Sequence, residues 1–262
     1  MTPGALRVPT LRGATRPVVV CFAVPRLLRY RPAMSDFPFH AVLFDCDGVL
    51  VDSEPITNRI LTEMLGELGW HLSIEETMRI FVGKAVKDEA PLIEARTGVA
   101  ITTDWLMQFR ARRNAALDKE LIAIPGAAAT VRSLHATLNG RIAVASGADR
   151  IKVELQLKKA GILDCFEGRI FSGHETPRSK PFPDVYLAAA AALGVDAARC
   201  AIVEDTVTGA TAGVAAGATV FGYCPNEFGH SSAAALQAAG VVQVFRDMED
   251  LPGLLAAWRG AA

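Results

Sequence analysis

The chain has 262 residues, of which 51% are hydrophobic and 21% are charged, an ordinary composition for a globular protein with a buried core. Its 27 basic and 28 acidic residues give a formal net charge of −1, which argues against the strongly basic face of a nucleic-acid-binding protein. No apolar run reaches the length of a membrane span. We therefore expect neither nucleic acid nor a membrane as a partner.

The five cysteines are scattered, odd in number and free of CxxC spacing, which favours neither a disulfide framework nor a zinc site. This usage fits a reducing cytosol and predicts a cytoplasmic protein. Residues 1–33 differ from the rest, with six arginines and no acidic residue, a character typical of transit peptides. Because Met34 stands just before the first strand, we expect residues 1–37 to be a disordered extension or an over-long gene start.

The first predicted strand is the apolar run Ala41–Phe44, which ends at the acids Asp45 and Asp47, followed by Gly48. Side chains two apart on a strand face the same side, so both carboxylates can point into one cavity. One could act as a nucleophile while the other moves a proton, with a divalent metal tying them together. The alternative is a polar turn, since Asp and Gly are common turn residues.

A block of helical patterns follows this strand and contains no convincing strand of its own. Apolar spacing predicts helices over 55–68, 74–82, 88–97 and 103–120, the last capped by Thr103 or Asp104. The block therefore predicts a small all-helical domain, residues 55–124, inserted after the first strand.

From residue 125 the pattern alternates between strand and helix. Strands are predicted at 141–146, 169–171, 200–203, 218–221 and 241–245, and helices at 127–138, 150–160, 183–193 and 209–216. This alternation predicts an α/β fold, a Rossmann-like doubly wound parallel sheet with an inserted all-helical cap domain. The core would comprise residues 38–54 and 125–262.

Polar residues mark three further strand ends or helix starts. Ser146 and Gly147 offer a hydroxyl and backbone N–H groups for an anion, Lys180 lies in a proline-stiffened segment, and Glu204–Asp205 form a second acid pair. Each has a plainer alternative: a helix cap for the serine, a helix cap by Asp205 or the following Thr206 for the acid pair, and an exposed surface position for the lysine. A parallel sheet brings these ends to one edge, where the set suits the stabilisation of a transferring phosphoryl group.

The motifs Asp-x-Asp-Gly-Val-Leu-Val-Asp-Ser, Ala-Ser-Gly, Ser-Lys-Pro-x-Pro-Asp and Val-Glu-Asp-Thr, in this order, resemble those of the haloacid dehalogenase superfamily. The resemblance covers about residues 40–245, and the helical block resembles that superfamily's helical cap. The nearest groups in appearance are the β-phosphoglucomutase-like and sugar-phosphate phosphatase members.

The resemblance implies a role for each matching residue. Asp45 would be the nucleophile that forms an aspartyl-phosphate, and Asp47 would be the general acid and base. Ser146, with the adjacent Gly147, would bind phosphoryl oxygens, and Lys180 would neutralise charge on the nucleophile and the phosphate.

The same resemblance implies a magnesium cofactor. Asp205 would ligate Mg²⁺ together with Asp45 and the backbone carbonyl of Asp47, and Glu204 would assist directly or through water. Substrate contacts outside the motifs are expected from Lys84 in the cap loop and from Arg150 after the serine strand, although both could simply be solvated.

The implied function is a monomeric Mg²⁺-dependent phosphatase of a sugar phosphate, sugar acid phosphate or nucleotide. Asp47 argues against the metal-free dehalogenases and the phosphonate-cleaving relatives, which lack the second acid. The alternative is a sugar-phosphate mutase. This interpretation is weaker, because the chain has Thr57 where the mutases carry a histidine, and Val86 near the position of their cap arginine. A non-catalytic binding protein is disfavoured by the intact motif residues.

Overall fold

The computed structural model describes residues 37–225 and 231–260. The expected extension at residues 1–37 lies outside these residues except for Phe37, whose side chain is buried. Among the described helices, none is long and apolar enough to cross a membrane.

Eight strands and ten α-helices are formed by the described residues. The strands are β1 (Ala41–Phe44), β2 (Val51–Asp52), β3 (Ile122–Ala123), β4 (Ile142–Ser146), β5 (Ile170–Ser172), β6 (Cys200–Glu204), β7 (Thr219–Tyr223) and β8 (Gln243–Phe245). The helices are α1 (Glu54–Glu67), α2 (Ile74–Phe81), α3 (Ala90–Thr97), α4 (Thr103–Glu120), α5 (Ala127–Thr137), α6 (Arg150–Lys159), α7 (Asp184–Ala192), α8 (Val207–Ala215), α9 (Ala233–Ala238) and α10 (Leu251–Ala257).

Six of the strands form one sheet in the order β5-β4-β1-β6-β7-β8, and all of its neighbouring strands run parallel. Strand β1 is central and wholly apolar because both of its faces are covered. Val42 and Phe44 belong to one buried cluster, whereas Ala41 and Leu43 belong to a second one. Since strand side chains alternate, the two clusters lie on opposite faces of the sheet. The predicted doubly wound α/β fold is confirmed.

The helices α1 to α4 form the insertion after β1 and share a third buried apolar cluster, which includes Leu61, Phe81 and Phe109. Helix α4 begins one residue earlier than its predicted caps imply. Its N-cap is Thr102, whose hydroxyl accepts a hydrogen bond from the Trp105 N–H, so the expected caps Thr103 and Asp104 were wrong.

Two short strands flank the insertion where no strand was predicted. Strands β2 and β3 pair antiparallel, with Val51 opposite Ala123 and Asp52 opposite Ile122. The chain therefore enters and leaves the helical insertion through a two-stranded ribbon, which lies beside the acid-bearing loop that follows β1.

Candidate active site

The carboxyl ends of three adjacent strands form the site. Because β1 lies between β4 and β6, the residues at these ends, Asp45, Ser146 and Glu204, come together at one edge of the sheet. The Asp45 N–H donates to the carbonyl of Val203 at 3.0 Å, which continues the pairing with β6 past the end of β1. All three side chains are buried.

Asp45 is held by a lysine from a distant part of the sequence. The Nζ of Lys180 lies 2.8 Å from Asp45 Oδ1 and 2.6 Å from Glu204 Oε1. Burial raises the pKa of the Asp45 carboxyl well above its usual range, although Lys180 opposes this shift and Glu204 adds to it. Burial also works against the charge of Lys180, but Asp45 and Glu204 outweigh it and raise the lysine pKa well above its usual range.

The position of Lys180 is supported by helix α7. Pro183 is the N-cap of this helix, and the ring of Tyr186 in its first turn lies 4.7 Å from the Lys180 ammonium. The Tyr186 hydroxyl donates to Glu204 Oε1 at 2.6 Å, so tyrosine and lysine converge on one carboxylate oxygen. Sequence reasoning did not identify Tyr186, because nothing in the alanine-rich pattern of α7 sets it apart as a site residue.

The second oxygen of Glu204 is bound by the start of helix α8. The N–H groups of Asp205 and Thr206 donate to Oε2 at 3.2 and 3.3 Å, and the Thr206 hydroxyl donates at 3.1 Å. Burial works to raise the pKa of Glu204, but Lys180, together with the hydrogen bonds from Tyr186 and the Thr206 N–H, outweighs it and lowers the pKa below its usual value. Thr206 is also the N-cap of α8, so of the two expected caps it is the threonine, and not Asp205, that caps the helix.

The carboxylates of Asp45, Glu204 and Asp205 form a cluster suited to a metal. All three are buried, and one oxygen from each lies within 4.8 Å of the others. Four carboxylates meet two lysines here, once the neighbouring Asp47 and its partner Lys152 are counted, which leaves two formal negative charges in a buried site. An all-oxygen donor set with excess negative charge fits a hard divalent cation.

Asp47 is tied to helix α6. Its Oδ1 lies 2.8 Å from Lys152 Nζ, accepts a hydrogen bond from Gln156 Nε2 at 2.6 Å and accepts another from the Ser53 hydroxyl. Burial works to raise the pKa of Asp47, but the charge and hydrogen bond of Lys152, together with the hydrogen bonds of Ser53 and Gln156, outweigh it and lower the pKa to about 2. Neither Lys152 nor Gln156 was identified from the sequence, although their spacing of four residues on a predicted helix was a usable signal.

Ser146 lies at the end of β4 and lines the cavity together with Gly147. The Ser146 hydroxyl accepts a hydrogen bond from the Ala148 N–H at 3.1 Å, whereas the N-cap of α6 is Asp149. Ser146 is therefore not the cap of the following helix, which was its alternative interpretation.

A cavity of about 380 Å³ lies between the sheet edge and the helical insertion. Its floor includes Asp45, Asp47, Ser146 and Lys180, and the insertion contributes several cationic side chains to its lining. These cations are Lys84, Lys87, Arg110 and Arg113. The last three were not identified from the sequence.

The two expected substrate contacts outside the motifs have different surroundings. Lys84 lines the cavity and lies 3.4 Å from Glu89, and its side chain is 47% exposed. Arg150 is absent from the described residues that line the cavity, and its guanidinium is bound by both oxygens of Glu175. The geometry thus keeps Lys84 as a candidate contact and places Arg150 elsewhere.

Residues 39–217 match the family model described as a haloacid dehalogenase-like hydrolase. The chain belongs to this family.

Two curated relatives come from Escherichia coli strain K12. The chain is 35% identical to 6-phosphogluconate phosphatase over 70% of its own length and 82% of that protein's. It is 30% identical to hexitol phosphatase B over 67% of its own length and 79% of that protein's. These phosphatase relatives support the class predicted from the motifs, and the chain is a phosphoric monoester hydrolase of this family.

A similar solved structure is that of a haloacid dehalogenase family hydrolase from Deinococcus radiodurans R1 with bound phosphate and sodium. Its identity is 37% and its TM-score 0.66, over 84% of this chain and 96% of that one.

Proposed function

We propose that this protein is a Mg²⁺-dependent phosphatase of phosphorylated sugars or sugar acids that acts through an aspartyl-phosphate. The observation that carries the proposal is the buried Asp45 carboxylate at the floor of the cavity, held at 2.8 Å by Lys180 and flanked by two further acids. The names of the two Escherichia coli phosphatases, and the phosphate bound in the structure from Deinococcus, support this class of substrate.

In the first step, an oxygen of Asp45 attacks the phosphorus and the bond to the leaving oxygen breaks. Lys180, fixed against Asp45, offsets the negative charge on the nucleophile and on the phosphoryl oxygens. The Ser146 hydroxyl and the Gly147 backbone lie at the cavity surface, where they would donate hydrogen bonds to the same oxygens. These donors act where charge develops in the transition state.

Asp47 would give a proton to the leaving oxygen in the first step and take one from water in the second. The low pKa of Asp47 suits its role in the second step, since an ionised carboxylate is a base. A bound phosphoryl group brings negative charge beside Asp47, which raises its pKa and favours the protonated form that the first step needs.

We propose Asp45, Asp205 and the backbone carbonyl of Asp47 as the residues that hold Mg²⁺. Bound there, the ion would act as a Lewis acid and offset negative charge on the carboxylates and the phosphate. Both oxygens of Glu204 already accept several hydrogen bonds from the protein. Glu204 would therefore mainly position Lys180 and the start of α8 rather than bind the ion directly.

The helical insertion is proposed as the cap, residues 55–124, over a core of residues 38–54 and 125–262. Its cations Lys84, Lys87 and Arg110 would favour a leaving group with a negative charge, such as a sugar acid, whereas Arg113 is paired with Asp149. The polar pair of Glu54 and Asn58, whose side chains are 2.7 Å apart and line the cavity, would suit sugar hydroxyls. A monomeric state and a cytoplasmic location stay predictions from the sequence.

A sugar-phosphate mutase is the second candidate, since such an enzyme also needs Asp47. Thr57, where the mutase histidine would stand, lines the cavity, and its hydroxyl oxygen is buried with no hydrogen-bond partner among the described residues. A threonine there lacks the imidazole of the mutases, so the phosphatase is favoured.

The test is phosphate release by the purified protein from 6-phosphogluconate, hexitol phosphates, hexose phosphates and nucleotides, each with Mg²⁺ and with EDTA. We expect release only with Mg²⁺, the highest kcat/KM for a sugar acid phosphate, and a loss of at least about 10³-fold in Asp45→Asn. Isomerisation of a hexose 1-phosphate with a bisphosphate activator, without phosphate release, would establish the mutase instead.

A further inference from the structure

Asp47 is anchored through one of its two carboxylate oxygens. The donors provided by Lys152, Gln156 and Ser53 all go to Oδ1. Two of the three come from helix α6, one turn apart on the same face. The arrangement fixes Oδ1, and none of the hydrogen bonds among the described residues goes to Oδ2, which leaves that oxygen for the substrate.

Lys152 lines the cavity beside Asp47, and the described residues offer its ammonium no other ion pair. Its side chain is 5% exposed, and its ion pair is with Asp47. A buried lysine is costly unless it is paired, so this position is built around the aspartate. The first turn of α6 is set by Asp149, whose side chain accepts a hydrogen bond from the Lys152 N–H at 3.1 Å.

Gln156 is oriented from its other end. Its Oε1 accepts a hydrogen bond from the buried Cys46 thiol at 3.3 Å, so its Nε2 is directed to Asp47. Because Cys46 stands between the two catalytic acids in the chain, this contact links α6 to the very loop that carries them. The amide is therefore clamped at both ends.

We propose that Lys152 and Gln156 are positioning residues that hold Asp47 for proton transfer through Oδ2, an inference that rests on the proposed phosphatase function. In that step the bond from Asp45 to phosphorus forms, the bond from phosphorus to the leaving oxygen breaks, and the proton of Asp47 goes to that oxygen. A carboxylate pinned at Oδ1 reaches the leaving oxygen with no loss of rotamer freedom at each turnover.

The leaving group provides a readout that a merely structural role does not move. A sugar phosphate releases an alkoxide, which needs a proton as it departs, whereas p-nitrophenyl phosphate releases a stable phenolate that does not. We expect Lys152→Met to lower kcat/KM by about 10²-fold on the best sugar phosphate and by less than about 3-fold on p-nitrophenyl phosphate. The matched control is Lys158→Met, an exposed lysine on the same helix, which should change neither value.

Gln156→Met provides a second variant that keeps all charges in place. It should also lower kcat/KM more on the sugar phosphate than on p-nitrophenyl phosphate, but by a smaller factor than Lys152→Met. Melting temperatures confirm that each variant is folded, and if Lys152→Met is not, the decision falls to Gln156→Met. Equal losses on both substrates, or no loss, would overturn the inference. A wild-type protein that releases phosphate from neither substrate would instead refute the proposed function.

Discussion

At the scale of single residues, the tightest packing in the site is between Gly209 and the Glu204 carboxylate. A Cβ built on Gly209 would overlap the carboxyl atoms of Glu204. Gly209→Ala should therefore displace this carboxylate and, with it, the Lys180 ammonium that it binds. We expect kcat/KM for phosphate release to fall by about 10²-fold, the usual effect of a shift of about 1 Å in a catalytic group.

Gly213 in the same helix provides the control. A Cβ there would lie 2.8 Å from Val220 Cγ2 and 3.1 Å from Ile202 Cδ1, which are apolar side chains of β7 and β6 rather than a site carboxylate. Gly213→Ala should lower the melting temperature but leave kcat/KM within about 2-fold of wild type. If both variants lose activity equally, the packing of α8 in general, and not the contact with Glu204, is responsible.

The sequence predicted the site residues that lie at strand ends, and it missed those that helices bring in. Asp45 and Ser146 could be placed because the end of a parallel strand has a known position in the fold. Lys152 and Tyr186 reach the site only through the rotation of α6 and α7 about their own axes. That rotation depends on how each helix packs on the sheet, which local pattern does not specify.

At the scale of elements, helices α4 and α6 are joined by an ion pair across the edge of the cavity. Arg113 of α4 lies 2.8 Å from Asp149, the N-cap of α6, and both side chains are mostly buried. Burial works to raise the pKa of Asp149, but Arg113, together with the hydrogen bond from the Lys152 N–H and the charge of Arg110, outweighs it and lowers the pKa. The ionised pair therefore holds the helical insertion against the core.

Arg113→Met should destabilise the protein by about 2 kcal/mol, because Asp149 keeps its charge but loses its nearest partner in a mostly buried place. For a chain of this size, such a loss lowers the melting temperature by about 4 to 8 °C. The neighbouring Arg112 pairs with Glu67 on the surface, with both side chains well exposed, and Arg112→Met should cost less than about 1 kcal/mol. Equal decreases in the melting temperatures of Arg113→Met and Arg112→Met would contradict a special role for the pair of Arg113 and Asp149.

Elements with a local apolar signal were predicted, whereas the two-residue strands were not. The sequence predicted the bounds of β1, an unbroken apolar run, and of α4, although not the N-cap of α4. Strands β2 and β3 have two residues each and exist only because they pair with each other. A pairing between residues about 70 positions apart leaves no local trace, so the ribbon beneath the insertion could not be read from the sequence.

At the scale of the whole molecule, the site stores unfavourable electrostatic energy that a cation would relieve. Three buried carboxylates from two strand ends are brought within ligand distance, and Lys180 neutralises only part of their charge. The fold therefore holds like charges together, which burial makes more costly. A ligand that binds only this folded arrangement stabilises the whole protein by linkage.

Mg²⁺ should therefore raise the melting temperature of the wild-type protein. At a concentration 100 times the dissociation constant, the gain is about 2.7 kcal/mol, or about 5 to 10 °C for a chain of this size. Asp205→Asn, which removes one carboxylate of the cluster, should abolish most of this shift, whereas Glu167→Gln at an exposed position should preserve it. The measurement is a melting curve with and without Mg²⁺, and it needs no substrate. If the melting temperature of Asp205→Asn rises by as much as that of the wild type, the ion binds outside the cluster of Asp45, Glu204 and Asp205.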